Sequence, residues 1–140
     1  MNWRECNIEG LVKKARIDLE MVKSLLESSK NSLESSNLLI LKKETIESKF
    51  NLGYDSVRCL LEALALKKGY KIYNPECYVG FLKEICKNEK SSLDFDRFRF
   101  LRNQIQYYAK KISIEEFHLL FNDLKKFRKE ILNLLKNAKS

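Results

Sequence analysis

Between Arg99 and Lys110 the chain crowds together groups that could handle a phosphate: Arg99, Arg102, Asn103, Gln106, Tyr107, Tyr108 and Lys110. On a helix, Arg99, Arg102 and Gln106 recur at spacings of three and four, and Asn103 lies four residues from Arg99, so these side chains share one face. Arginine offers a permanently charged planar fork that matches phosphate oxygens. The Asn103 amide can orient a neighbour or donate to a phosphate. Tyr107 and Tyr108 carry phenols, which are poor bases at an ordinary pKa of about 10. An imidazole would be the natural proton carrier near neutral pH. The cluster has none, and the chain's one histidine, His118, reads as a surface or boundary residue.

Each of these residues also has a blander reading. Arg102 could lay its stem along an apolar stripe with its head in water. Tyr108 extends the stripe Phe98, Leu101, Ile105 and so fits core packing with its hydroxyl at the rim. Tyr107 lies off that stripe. Other constellations are missing from the sequence: it has no Gly-rich phosphate loop, no paired-carboxylate arrangement and no Ser-His-Asp order. Cys6, Cys59, Cys77 and Cys86 show no CxxC spacing, and with a single histidine they argue against a zinc site. No metal or cofactor is expected.

The elements that must position the cluster are helical throughout. Four Gly, one Pro and an abundance of Leu, Lys, Glu and Ile favour helices over strands and tight turns. Residues 1–9 read as a lead-in, with Trp3 free to pack back. A first helix is expected over 10–35, with Leu11, Ala15, Leu19, Val22, Leu25 or Leu26, Ser29 and Leu33 inward. A brief apolar patch, Leu38 to Leu41, follows. A second helix is expected over 43–68, its stripe Ile46, Phe50, Gly53, Val57, Leu60, Leu64 having bundle spacing. Gly53 on that stripe implies close approach of a neighbour, and Gly69 is placed as a C-cap.

Asn74-Pro75-Glu76 marks the start of a short third helix over 75–87. The cluster's own helix is expected over 94–111, capped by Ser91 or Ser92. Ser113 with Glu116 makes a capping box for a last helix running to 137, with the stripe Phe117, Leu120, Leu124, Phe127, Ile131, Leu134, Ala138. The expected fold is all-α: one domain over 1–140, an antiparallel up-and-down bundle of four long helices and one short one.

The formal net charge is +8, which favours anionic partners. Residues 91–140 hold eleven Lys and Arg against six Asp and Glu, so most of the excess lies with the cluster. The run from Lys125 to Lys129 reads as a solvated face. Neither an apolar signal region nor a membrane-length apolar run is visible. Cys59 and Cys86 sit among apolar residues as small hydrophobes. A cytoplasmic protein with reduced thiols is expected.

Arg102-Asn103 followed by Tyr107 and Tyr108, late in the penultimate helix of such a bundle, resembles the HEPN superfamily (higher eukaryotes and prokaryotes nucleotide-binding domain). The family motif is Arg, often followed by Asn or another polar residue, then four to six residues, then His. Here Arg102-Asn103 matches its first half, and Tyr107 stands where the shortest spacing places the His. The stretch from Phe50 to Ile85, with its Lys-Lys-Gly-Tyr helix end, is also similar to prokaryotic members. The resemblance covers about residues 44–135.

That resemblance implies a four- or five-helix bundle that forms a homodimer, with both motif copies meeting at a cleft. It also implies a metal-independent ribonuclease-like toxin paired with a minimal nucleotidyltransferase antitoxin. Arg102, Asn103 and Tyr107 would then be the catalytic set. Arg99, Arg102, Gln106, Tyr108 and Lys110 would bind RNA or nucleotide. In some such pairs the antitoxin modifies a motif tyrosine two residues past the His, a position occupied here by Ala109. A non-catalytic nucleotide- or partner-binding module is the first alternative, and a purely structural helical adaptor, with the cluster as plain surface, is the second.

Overall fold

The computed structural model describes residues 1–138, so the last two residues of the expected domain lie outside the described residues. Six α-helices and one short two-stranded sheet appear among them, in the order α1 Trp3–Ile8, β1 Val12–Lys14, α2 Leu19–Leu38, α3 Ile46–Lys67, β2 Tyr70–Ile72, α4 Cys77–Gly80, α5 Glu89–Tyr108 and α6 Ile114–Asn137. A π-helical turn, Phe81–Ile85, continues α4. The all-α bundle stands as expected. Its count does not, because the first 18 residues are not the start of a long helix.

Asn2 explains the first difference. Its side chain accepts from the Glu5 N–H while Glu5 reaches back to Asn2, so a capping box starts α1 inside the expected lead-in. Val12–Lys14 then pairs antiparallel with Tyr70–Ile72, in the register Val12↔Ile72, Lys13↔Lys71, Lys14↔Tyr70. Three residues are too few to show a period of two, and the partner strand is far along the chain. The long helix begins only at Leu19, behind Asp18, whose carboxylate accepts from the Met21 N–H. Leu11 and Ala15 therefore fall before it, and Leu19 is exposed.

The stripe of α3 is buried along its whole length, from Ile46 and Phe50 through Val57, Leu60 and Leu64. This is the central helix, packed on α2 along one side and α6 along the other. Gly53 makes the second contact possible. A Cβ there would sit 2.8 Å from Phe121 Cε1 and 3.2 Å from Leu124 Cδ2. Gly69 ends the helix region in the left-handed conformation, φ +89°, as expected of its C-capping position. On α6 the capping box of Ser113 and Glu116 is formed. Its buried face runs through Phe117, Phe121, Leu124, Phe127, Ile131 and Leu135, whereas Leu120 and Leu134 are half-buried. A straight helix drifts by about 20° per heptad from a strict seven-residue repeat, which moves the seam off the expected positions.

The cluster's helix, α5, starts earlier than expected. Asn88 is its cap and accepts from the Ser91 N–H. Ser91 and Ser92 are instead buried in its first turn, where Ser92 donates to the Val79 carbonyl 2.7 Å away. The helix also ends earlier, at Tyr108, because Ala109 takes a left-handed conformation with φ +52°.

Cys6 and Cys77 form a disulfide that fastens α1 to α4. The expectation of reduced thiols is corrected here: the two cysteines are far apart in sequence and meet only because α1 folds back onto α4. Cysteine usage therefore no longer argues for a reducing compartment. Cys59 and Cys86 remain free, Cys59 buried and Cys86 half-buried. No helix of the described residues is long and apolar enough to cross a membrane.

Candidate functional site

Arg102 projects into a cleft of about 300 Å³ between α3 and α5. Helix α3 contributes Tyr54, Asp55 and Arg58, and α5 contributes Arg99, Arg102, Asn103 and Tyr107. The segment Asn74-Pro75-Glu76, which links β2 to α4, forms the third wall. The positions on each helix are three and four residues apart, so each helix turns one narrow polar face into the cleft.

The floor is aromatic. Tyr54 is only 4% exposed and stacks on Phe95, with ring centroids 5.9 Å apart. Phe95 stacks in turn on Phe127 at 6.2 Å. This column fixes Tyr54, and the Arg102 guanidinium lies over the Tyr54 ring, 5.5 Å from its centroid. Burial raises the Tyr54 pKa, although the charges of Arg102, Arg58 and Arg99 oppose the shift. Its phenol thus stays protonated and offers no base near neutral pH.

The charges around the cleft are mostly committed. Arg99 donates to Asp96 through Nε and Nη2, at 3.2 and 2.8 Å. Arg58 lies 3.9 Å from Asp55 and 3.5 Å from Glu62. The Glu76 carboxylate is held by the N-terminal ammonium of Met1 at 3.1 Å. Arg102 differs. It has no carboxylate partner among the described residues, and its Nε is buried with no hydrogen-bond partner. An unmet buried donor costs about 1–3 kcal/mol, more when charged. A phosphate entering the cleft would meet a cation that no acid among the described residues already satisfies.

Of the expected site residues, the fold brings together Arg99, Arg102, Asn103 and Tyr107, the last 74% exposed at the rim. Gln106, Tyr108 and Lys110 do not line the cleft; they are exposed at or past the end of α5. The core placement of Tyr108 is corrected, since it is 73% exposed. The buried face of α5 ends at Ile105, and its last three residues, Gln106, Tyr107 and Tyr108, are all exposed. His118 is exposed on α6 and does not line the cleft. Tyr54, Arg58, Asn74 and Glu76 were not expected at the site from sequence, where Asn74 and Glu76 mark only a helix start. The pair Asp55 and Arg58, one turn apart behind Tyr54, was the available signal, but nothing local says that this face meets α5.

No group of His, Cys, Asp and Glu suited to a metal ion gathers among the described residues. Comparison with protein-family models and with curated proteins finds no match for the chain.

Proposed function

We propose that the chain is a HEPN-like, RNA- or nucleotide-directed protein whose α3–α5 cleft receives a phosphate through Arg102. The observation that carries this reading is the Arg102 guanidinium, with its Nε buried and unpartnered at the cleft. Asn103 and Tyr107 stand beside it as amide donor and as an exposed ring on which a base can stack. The helix order supports the likeness: long α2 and α3, a short α4 with its π turn, then α5 bearing Arg102-Asn103 and α6 closing the bundle. In that reading the protein is the ribonuclease-like toxin half of a pair with a minimal nucleotidyltransferase antitoxin. It acts as a homodimer.

A second reading, non-catalytic binding of a nucleotide or of the partner, is favoured by one observation. The only imidazole of the chain, His118, lies outside the cleft. The two readings separate on one preparation. Arg102→Ala should weaken uridine monophosphate or short RNA binding by about 10- to 100-fold, the size of a charge-assisted hydrogen bond. Cleavage of RNA without added metal, lost in Arg102→Ala, supports the ribonuclease. Binding without cleavage supports the module. Unchanged affinity in Arg102→Ala, read by calorimetry, rejects the cleft.

A further inference from the structure

The β1–β2 ribbon carries a second concentration of positive charge. Lys13 and Lys71 face each other directly across the ladder. Lys14, Arg16 and Lys68 are exposed nearby. None of Lys13, Lys14, Arg16 and Lys68 has an acidic partner among the described residues. Like charges directly opposite on a ladder repel, and a bound anion relieves that repulsion. Two hydrogen bonds lengthen the ribbon: Ala15 N–H to the Gly69 carbonyl and Tyr73 N–H to the Leu11 carbonyl, at 2.8 and 2.9 Å. Tyr73 is 58% exposed, and the Lys13 ammonium lies 6.0 Å from its ring centroid. Strand alternation puts Lys13, Lys71 and Tyr73 on the outer face, because Val12 and Ile72 point into the core.

This face is continuous with the cleft. Tyr73 is followed at once by Asn74, Pro75 and Glu76, the cleft's third wall. Glu62 bridges the two, with one oxygen 3.3 Å from Lys71 and the other 3.5 Å from Arg58, which lines the cleft. The track therefore runs from Arg102 past Arg58 to Lys71, Lys13 and Tyr73. Along the ladder it adds roughly 10 Å of extended backbone, beyond the reach of a mononucleotide seated in the cleft.

We infer that the ribbon is a second phosphate-contacting surface and that the ligand of the cleft is single-stranded RNA several nucleotides long. This rests on the reading of the Arg102 cleft as a phosphate site. Cations tracking a backbone beside exposed rings are the arrangement that holds an unpaired strand. A duplex would keep its bases from Tyr73 and Tyr107.

The test compares a labelled oligouridine of about ten nucleotides with uridine monophosphate. Both are titrated into the wild type, the triple variant Lys13→Gln/Lys14→Gln/Arg16→Gln, Tyr73→Ala and Arg102→Ala. Circular dichroism checks that each is folded. The triple variant should bind the oligomer about tenfold more weakly, and its log-affinity against log-salt slope should fall by about 0.7 for each phosphate that is no longer neutralised. Its affinity for the monophosphate should not change. Tyr73→Ala should weaken the oligomer with no change in that slope, and Arg102→Ala should weaken both ligands. An unchanged oligomer affinity and slope in the triple variant, with Arg102→Ala still impaired, overturns the ribbon and leaves the cleft standing. Failure of the wild type to bind either ligand overturns both. Competition by polyglutamate as effective as by unlabelled oligomer also overturns the assignment to RNA.

Discussion

The guanidinium of Arg102 lies over the Tyr54 ring, 5.5 Å from its centroid, while its own Nε is buried without a hydrogen-bond partner. The first contact stabilises the fold and the second costs it. A cation–π contact contributes about 0.5–2 kcal/mol, and an unmet buried donor costs about 1–3 kcal/mol.

Arg102→Met keeps a long apolar stem over Tyr54 and removes the unmet donor. The expected result is a chain of equal or greater stability, by up to about 2 kcal/mol, that has lost phosphate binding. Urea unfolding monitored by circular dichroism measures the first and calorimetry the second. A loss of more than about 1 kcal/mol would mean that Arg102 is a structural residue, its donor met by water.

Ser29, Ser56 and Arg128 form a buried polar junction of α2, α3 and α6. Arg128 donates through Nε to Ser56 Oγ at 2.9 Å and through Nη2 to Ser29 Oγ at 3.2 Å. Each serine hydroxyl also lies 2.7 Å from the other serine's carbonyl oxygen. Burial pushes the Arg128 pKa down, and no carboxylate accompanies it among the described residues. Ser56→Ala should cost about 1–3 kcal/mol, since it strands one Arg128 donor. A double-mutant cycle of Ser56→Ala with Arg128→Met should give a coupling of about 0.5–3 kcal/mol. Strict additivity would dissolve the junction as an energetic unit.

Ser29 also shows where sequence reading reaches its limit. Periodicity placed it on the inner face of its helix, and it is inward. The same periodicity placed α3 and most of α6, because long amphipathic stripes report their own burial. The beginning of the chain is different. The strand β1 owes its existence to a distant partner, Ile72 among its pairings, and although Asn2 and Glu5 cap α1 locally, local pattern carries no trace of its docking against Cys77. The site follows the same division. Arg99, Arg102, Asn103 and Tyr107 were legible because they share one helix face. Tyr54, Arg58 and Glu76 come from other elements and join them only through the packing of α3 and α4 around α5.

Lys49 gives the fold a pH dependence at the alkaline end. Its side chain is buried, and its ammonium donates to the carbonyls of Ser36 and Leu39 at the end of α2. Burial first, and the charge of Lys125 second, push its pKa below the ordinary 10.5. Between the lowered folded value and 10.5 the unfolded chain binds more protons than the folded one. This residue's contribution to stability therefore rises as pH rises through that interval. Below the folded value the burial penalty on the ammonium is present in full, and above 10.5 it is gone. The difference in unfolding free energy between the wild type and Lys49→Met should consequently move in favour of the wild type as pH approaches 10.5. A difference that stays flat or moves the other way would show the ammonium to be well satisfied by its two carbonyls.

The Cys6–Cys77 disulfide closes a loop with a sequence separation of 71 and ties α1 to the segment that walls the cleft. Trp3 packs on Phe81 and Tyr70, with ring centroids 5.7 and 5.2 Å away, and its N–H donates to Glu84. Because these contacts do not need the covalent bond, α1 should stay docked after reduction while the unfolded chain gains freedom. Disulfides typically contribute about 2–4 kcal/mol, and loop-closure entropy alone for a loop of this length amounts to about 4.4 kcal/mol. Cys6→Ser, or the wild type in excess dithiothreitol, should unfold at correspondingly lower urea with near-native circular dichroism beforehand. Thiol titration of the unfolded, unreduced wild type should find two reactive groups, Cys59 and Cys86. Four reactive groups under that condition would remove the bond, and with it the covalent tie between α1 and the residue that follows Glu76.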